Sequence, residues 1–133
     1  MNNFKIKLNI ASLVVLLSLT GAMVVQASTT LFTYQGWGIS YVGLSSLSKT
    51  YLSKTTTITV HHKQQVCEQY FGVGLKVYIE KSAWYGWETV AEKTFYGTAS
   101  GTLSTKATSG TYRLEFDAAH KGQTYNIQGS LTK

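Results

Sequence analysis

Proline is absent from these 133 residues, cysteine occurs once, and Asp and Glu together number six against twelve Lys and Arg. The single Cys67 excludes an intrachain disulfide and the paired C-x2-C knuckles of structural zinc sites, so an apolar core must hold the fold. Basic residues stand singly from Lys49 to Lys133, with none of the runs that mark a nucleic-acid-binding arm. Helical periodicity is nearly missing beyond residue 27.

The opening MNNFKIKLNIASLVVLLSLTGAMVVQAS places Lys5 and Lys7 before an apolar stretch centred on LVVLLSL, with small residues at Val25 and Ala27. That is the pattern of a secretory signal peptide. Cleavage is expected after Ala27, giving a signal-peptide helix over 1–27 and one domain over 28–133. The competing reading is an uncleaved anchor, since a helix over 8–26 approaches the ~20 residues that span a bilayer. Export predicts a secreted, extracellular protein in which the Cys67 thiol is buried, modified or joined to another chain. From Ser28 onward the formal charge is +4, which suits an anionic cell-wall polymer, glycan or membrane surface, or plain solubility.

What is abundant is Thr, Tyr, Gly and Ser, with apolar residues at every second position, as half-buried strands require. TTTITVHH, 55–62, sets Thr56, Ile58 and Val60 on one face. LKVYIEK, 75–81, sets Leu75, Val77 and Ile79 inward, TYRLEFDA, 111–118, does the same with Tyr112, Leu114, Phe116 and Ala118, and TYNIQGSLT, 124–132, with Tyr125, Ile127, Gly129 and Leu131. Weaker strands are LFTYQ, GISYVGL, TVAEKTFYG and GTLSTKA. Turns are expected at QGWG, SSLSK, the stretch 64–74, SAWYG, ASG, TSG and HKGQ. About eight short strands without helix or proline predict an all-β fold, an antiparallel two-sheet sandwich ahead of a small barrel.

The order GVGLKVYIEK, YGWETV and TSGTYRLEFDAAHKG resembles uncharacterised small secreted β-domain proteins of Gram-positive bacteria, with Val77, Ile79, Lys81 and Trp87 in one shared element and Gly110, Tyr112 and Arg113 in another. The leader, the YQGWG cluster and the β-rich body are also similar to lactococcin 972-like bacteriocins, beyond which this chain extends from about Thr98. Neither resemblance implies catalytic residues.

VHHKQQVCEQY, 60–70, brings two histidines, a cysteine and a glutamate together in sequence. Neighbouring side chains on a strand point to opposite faces, so His62 is expected on the apolar side and His61 outside, and the pair cannot converge on one ion without a bulge. Cys67 with Glu68 or His120 could complete a zinc site around His62, but no metal or cofactor is expected. Cys67, His62 or His120, and Asp117 make a nucleophilic triad only on paper, without a nucleophile elbow or a helix N-terminus. Glu80, Glu88, Glu92, Glu115 and Asp117 fall at outward positions among Lys and Arg, where cross-strand pairing explains them. No catalytic residue is assigned.

Aromatic residues supply the candidate contacts. SAWYGWETV is expected to form a hairpin whose Trp87 caps the core, while Trp84 and Tyr85 either fold back over the sheet end or present flat rings to a ligand or membrane. In QGWGISYVG, Gly36, Gly38 and Gly43 allow a bulge on which Trp37, Tyr34 and Tyr41 pack, or else Trp37 is exposed on a functional face. The expected protein is thus a secreted, non-enzymatic sandwich acting by surface recognition at or outside a Gram-positive envelope, a bacteriocin-like activity being the alternative.

Overall fold

The computed structural model describes residues 28–40, 44–46, 48–67, 74–118 and 122–133; the expected signal peptide lies outside these residues, as do Tyr41, Gly43, Glu68 and His120. Nine strands form in chain order: β1 Thr30–Ile39, β2 Leu44–Ser45, β3 Thr50–Leu52, β4 Thr56–Val66, β5 Gly74–Ala83, β6 Gly86–Tyr96, β7 Ala99–Ala107, β8 Gly110–Ala118 and β9 Tyr125–Thr132. No helix occurs among the described residues.

Two antiparallel sheets result. One runs β1-β9-β4-β7; the other runs β2-β8-β5-β6, with β3 following β2 along the same edge of β8. Their facing sides hold the alternating residues: Ile58 and Val60 from β4, Leu75, Val77 and Ile79 from β5, Leu114 and Ala118 from β8, and Tyr125 and Leu131 from β9 are all fully buried. Each such aliphatic side chain contributes about 1.5–3 kcal/mol on leaving water, which a chain without a disulfide relies on.

The expected two-sheet sandwich of about eight strands is therefore present, with nine strands, two of them very short, among the described residues. Its strands are also longer than the alternation suggested. β4 continues through Gln64 to Val66, because His62 and Gln64 occupy inward positions although they are polar. QGWG is no turn; it lies within β1, where one extra residue is accommodated between Gly36↔Ile127 and Ile39↔Tyr125. The expected ASG turn is likewise strand, and the chain crosses between sheets at Gly97 and Thr98 instead.

A second bulge corrects the reading of Trp87. Ile79 pairs Ala91 but Glu80 pairs Thr89, leaving Val90 as an extra residue of β6. Phe95 and Ala91 share the inward side, and without the bulge Trp87 would share it too. The extra residue turns Trp87 to the outer face, where the Arg113 guanidinium lies 4.2 Å and the Lys49 ammonium 5.3 Å from its ring centroid. It caps no core.

Candidate functional site

The bulge in β1 also presents Trp37. A side chain on Gly36 would meet Ile39 Cδ1 at 2.9 Å, so only glycine lets Ile39 fold inward there; Gly38 takes a positive φ of 63° and donates its N–H to Asn126 Oδ1 at 3.0 Å. Between them Trp37 points away from the core and is 72% exposed. Of the two expectations for this ring, exposure is the one realised. Tyr34 instead turns inward, away from Trp37.

Trp37 stands over a cleft on the outer face of the four-stranded sheet. Register places Gln35 beside Gln128 and Gln128 beside Lys63, while Gln65 lies opposite Asn126 in the next row. These five side chains, with Trp37, line a hollow of about 230 Å³. Three strands from distant parts of the chain thus aim amides at one surface, with rows about 7 Å apart along the strands. Each amide offers two donors and an acceptor, Lys63 adds a cation, and among the described residues no carboxylate lines the cleft. Such a surface can hold a polyhydroxylated or anionic ligand against an aromatic ring, but it has no carboxylate pair to cleave a glycosidic bond. Asn126 and Gln128 were legible as outward positions of β9; Gln65 was hidden in the stretch 64–74 expected to be a turn, and Lys63 lay between that stretch and the expected strand 55–62.

The other candidate aromatics lie elsewhere. Trp84 and Tyr85 form the two-residue turn between Ala83 and Gly86, with rings edge-to-face at 5.3 Å, and are 95% and 60% exposed. They do not fold back over the sheet. Strand register puts this turn beside the starts of β4 and β8, whereas Trp37 sits by the end of β4 on the opposite sheet. The structure therefore separates two aromatic surfaces that sequence left as one group.

His61 and His62 diverge as strand geometry requires. His61 is exposed, with Nε2 3.1 Å from Thr132 Oγ1, while His62 is 3% exposed in the core. Cys67 is exposed beyond the end of β4, and among the described residues no three His, Cys, Asp or Glu are placed to hold a metal ion. Glu68 and His120, the remaining candidate ligands, lie outside the described residues.

His62 belongs to a buried polar chain that sequence reading missed. Gln64 Nε2 donates to the Phe95 and Gly97 carbonyls at 2.9 and 2.6 Å, which leaves Oε1 as an acceptor 3.0 Å from His62 Nε2. His62 therefore carries its proton on Nε2, and its Nδ1 accepts from the Tyr34 hydroxyl at 2.7 Å. Glycines make room for this row: a Cβ on Gly129 would collide with the Tyr34 hydroxyl, and one on Gly101 would lie 3.0 Å from Phe95 Cε1. Burial holds the His62 pKa below its usual 6.5, against the opposing effect of the hydrogen bond that it donates to Gln64. The chain ends on the crossover between sheets, so its role is to fasten one corner of the sandwich.

Carboxylates gather on the outer face of the five-stranded sheet. Arg113 Nε donates to Glu80 Oε2 at 2.7 Å, and Glu115 hydrogen-bonds Glu80. That hydrogen bond, then burial and the Glu80 charge, push the Glu115 carboxyl up to about 7. A hydrogen-bonded pair is closer than the roughly 5 Å that retaining glycosidases need. Because the folded pKa lies above the unfolded 4.5, the contribution of Glu115 to stability is complete below that value and is lost as pH rises through about 7. Melting temperatures of Glu115→Gln and the parent protein, compared from pH 5 to 8, should diverge: the parent loses stability relative to the variant as pH rises. Parallel curves would remove the shared proton. His62 acts in the opposite sense, its contribution being complete above 6.5 and lost on acidification, but it is common to both proteins and cancels.

No family model and no curated protein matches this sequence. Among solved structures, the chain is similar to the carbohydrate-binding module CBM36 in complex with calcium and xylotriose, at 12% identity and a TM-score of 0.43, covering 80% of this chain and 91% of that one. It is also similar to the infectious bursal disease virus VP2 subviral particle, at 12% identity and a TM-score of 0.41, covering 80% of this chain and 31% of that one.

Proposed function

We propose that this protein is an exported, non-enzymatic β-sandwich that recognises a glycan of a Gram-positive cell envelope through the Trp37 cleft. The observation that carries the reading is an exposed indole on the edge strand β1, set beside Gln35 and the Gln65, Asn126 and Gln128 of its inner neighbours β4 and β9. Sugar rings offer C–H faces that stack on an indole and hydroxyls that both donate and accept, which matches amides better than any single-sense group. Lys63 favours glycans bearing phosphate or carboxylate. Rigidity helps, because side chains on paired strands lose little freedom when a ligand arrives.

Retention on isolated cell walls and on a glycan array tests the assignment. Trp37→Ala should lower retention at least tenfold, about 1.4 kcal/mol, and Gln128→Ala should weaken it by a smaller factor. Both side chains are exposed, so melting temperatures should stay within about 2 °C of the parent. Unchanged retention with Trp37→Ala sinks the reading. Growth inhibition of a competitor by the purified protein, without wall retention, would instead favour the bacteriocin-like alternative.

A further inference from the structure

We infer that the end of the sandwich carrying the β5–β6 turn docks on an anionic membrane surface, with Trp84 and Tyr85 seated among the lipid headgroups. The inference is independent of the glycan cleft and starts from how charge is distributed. Register brings Lys49, Lys54, Lys81, Lys106, Arg113 and Lys133 to this end, against only Glu80 and Glu88 among the described residues. Arg113 and Glu80 pair and cancel, which leaves five lysines against Glu88. Further along, among the described residues, Lys63, Lys76 and Lys93 are balanced by Glu92, Asp117 and Glu115, the last at the border and hydrogen-bonded to Glu80. The scattered cations of the sequence therefore collect on one end once the strands pair.

The aromatic tip occupies that same end. The hairpin continues past Lys81↔Tyr112, the last pair with β8, through Ser82↔Trp87 and Ala83↔Gly86 to the turn. β8 runs alongside as far as Gly110, level with Ala83, so only the two turn residues pass the sheet end, with Trp84 almost wholly exposed at the apex and Tyr51 exposed nearby on β3. A sugar platform needs a ring face backed by a flat or concave surface. Here the two rings meet edge-to-face at 89° on a convex turn, the shape of a wedge. Amphipathic Trp and Tyr rings favour the headgroup layer, and clustered cations are drawn to anionic lipid. On the outer face of the four-stranded sheet, at the start of β4, a hollow of about 810 Å³ is lined by Lys54, Lys133, His61 and the hydroxyls of Thr57 and Thr59, with no Asp or Glu among the described residues. A phosphate headgroup fits its chemistry.

Sedimentation with phosphatidylglycerol vesicles and with neutral phosphatidylcholine vesicles tests the proposal. The purified protein should bind the anionic vesicles, bind the neutral ones at least tenfold less, and release from the former at roughly 0.5 M salt, where screening is short-ranged. Trp84→Ala/Tyr85→Ala should reduce partitioning at least tenfold; Trp37→Ala should leave it unchanged. A Trp37→Phe/Trp87→Phe protein retains Trp84 as its only tryptophan, and its emission should shift blue and be quenched by brominated lipid. No sedimentation with anionic vesicles, or equal sedimentation of the tip variant, overturns the proposal. So does an unquenched Trp84. Binding of a soluble polyglycerol phosphate that depends on Trp84 and Tyr85, without vesicle binding, would identify a glycopolymer as the occupant and likewise overturn the membrane assignment.

Discussion

His62→Leu should be the most damaging single change that keeps side-chain volume, lowering stability by about 3–5 kcal/mol. Leucine fills the space between Tyr34, Phe95 and Phe116, whose ring centroids lie 6.0, 4.7 and 6.0 Å from the imidazole, so packing is partly preserved. What is lost is the middle of the polar chain. The Tyr34 hydroxyl loses its short bond and keeps only the His61 carbonyl at 3.4 Å, and Gln64 Oε1 loses its donor, while Gln64 stays held by the Phe95 and Gly97 carbonyls and cannot turn to water. Each buried group left unpaired costs about 1–3 kcal/mol. For a domain of this size the melting temperature should fall by roughly 15–30 °C. Adding Tyr34→Phe removes one stranded group and should recover about 1 kcal/mol in a double-mutant cycle. A variant that melts within a few degrees of the parent would show that the chain is not a fastening.

Gly129→Ala should cost roughly 3 kcal/mol, although it adds one methyl group. Gly129 pairs with both His62 and Tyr34, and its inner face is crossed by the tyrosine ring on its way to the imidazole. A Cβ there collides with the Tyr34 ring and with the His61 carbonyl, and the carbonyl is backbone within a sheet ladder and cannot swing aside. Tyr34 must leave, which breaks the same hydrogen bond that His62→Leu breaks. The two substitutions should therefore combine to much less than the sum of their separate effects. Gly101→Ala is the control: its nearest neighbour is the edge of Phe95 at 3.0 Å, and the expected cost is about 1 kcal/mol. Thermal or denaturant unfolding of the single and double variants measures these differences. Equal costs at Gly101 and Gly129 would remove the special status of the latter.

Much of the core was legible from alternation. Tyr112, Leu114, Phe116 and Ala118 on β8, and Leu75, Val77 and Ile79 on β5, are buried as their period-two spacing predicted, because a strand has only two faces and one must be dry. The division of His61 from His62 followed from the same rule. Alternation broke down where a polar side chain occupied an inward position. Gln64 looked like a turn residue because its burial depends on acceptors at Phe95 and Gly97, some thirty positions away.

The sequence by itself determined the class of fold, the inward apolar residues of β5, β8, β9 and the first half of β4, and the tight turn at Trp84 and Tyr85, since all of these follow from local spacing and backbone geometry. Tertiary structure alone decided which way Trp37 and Trp87 face, because each direction depends on one extra residue opposite a partner strand, and local alternation does not show where a bulge will fall. It also decided that amides from β1, β4 and β9 share one cleft and that single cations gather around one end. Those groupings depend on the order and register of strands remote in the chain, set when both sheets bury their apolar faces together.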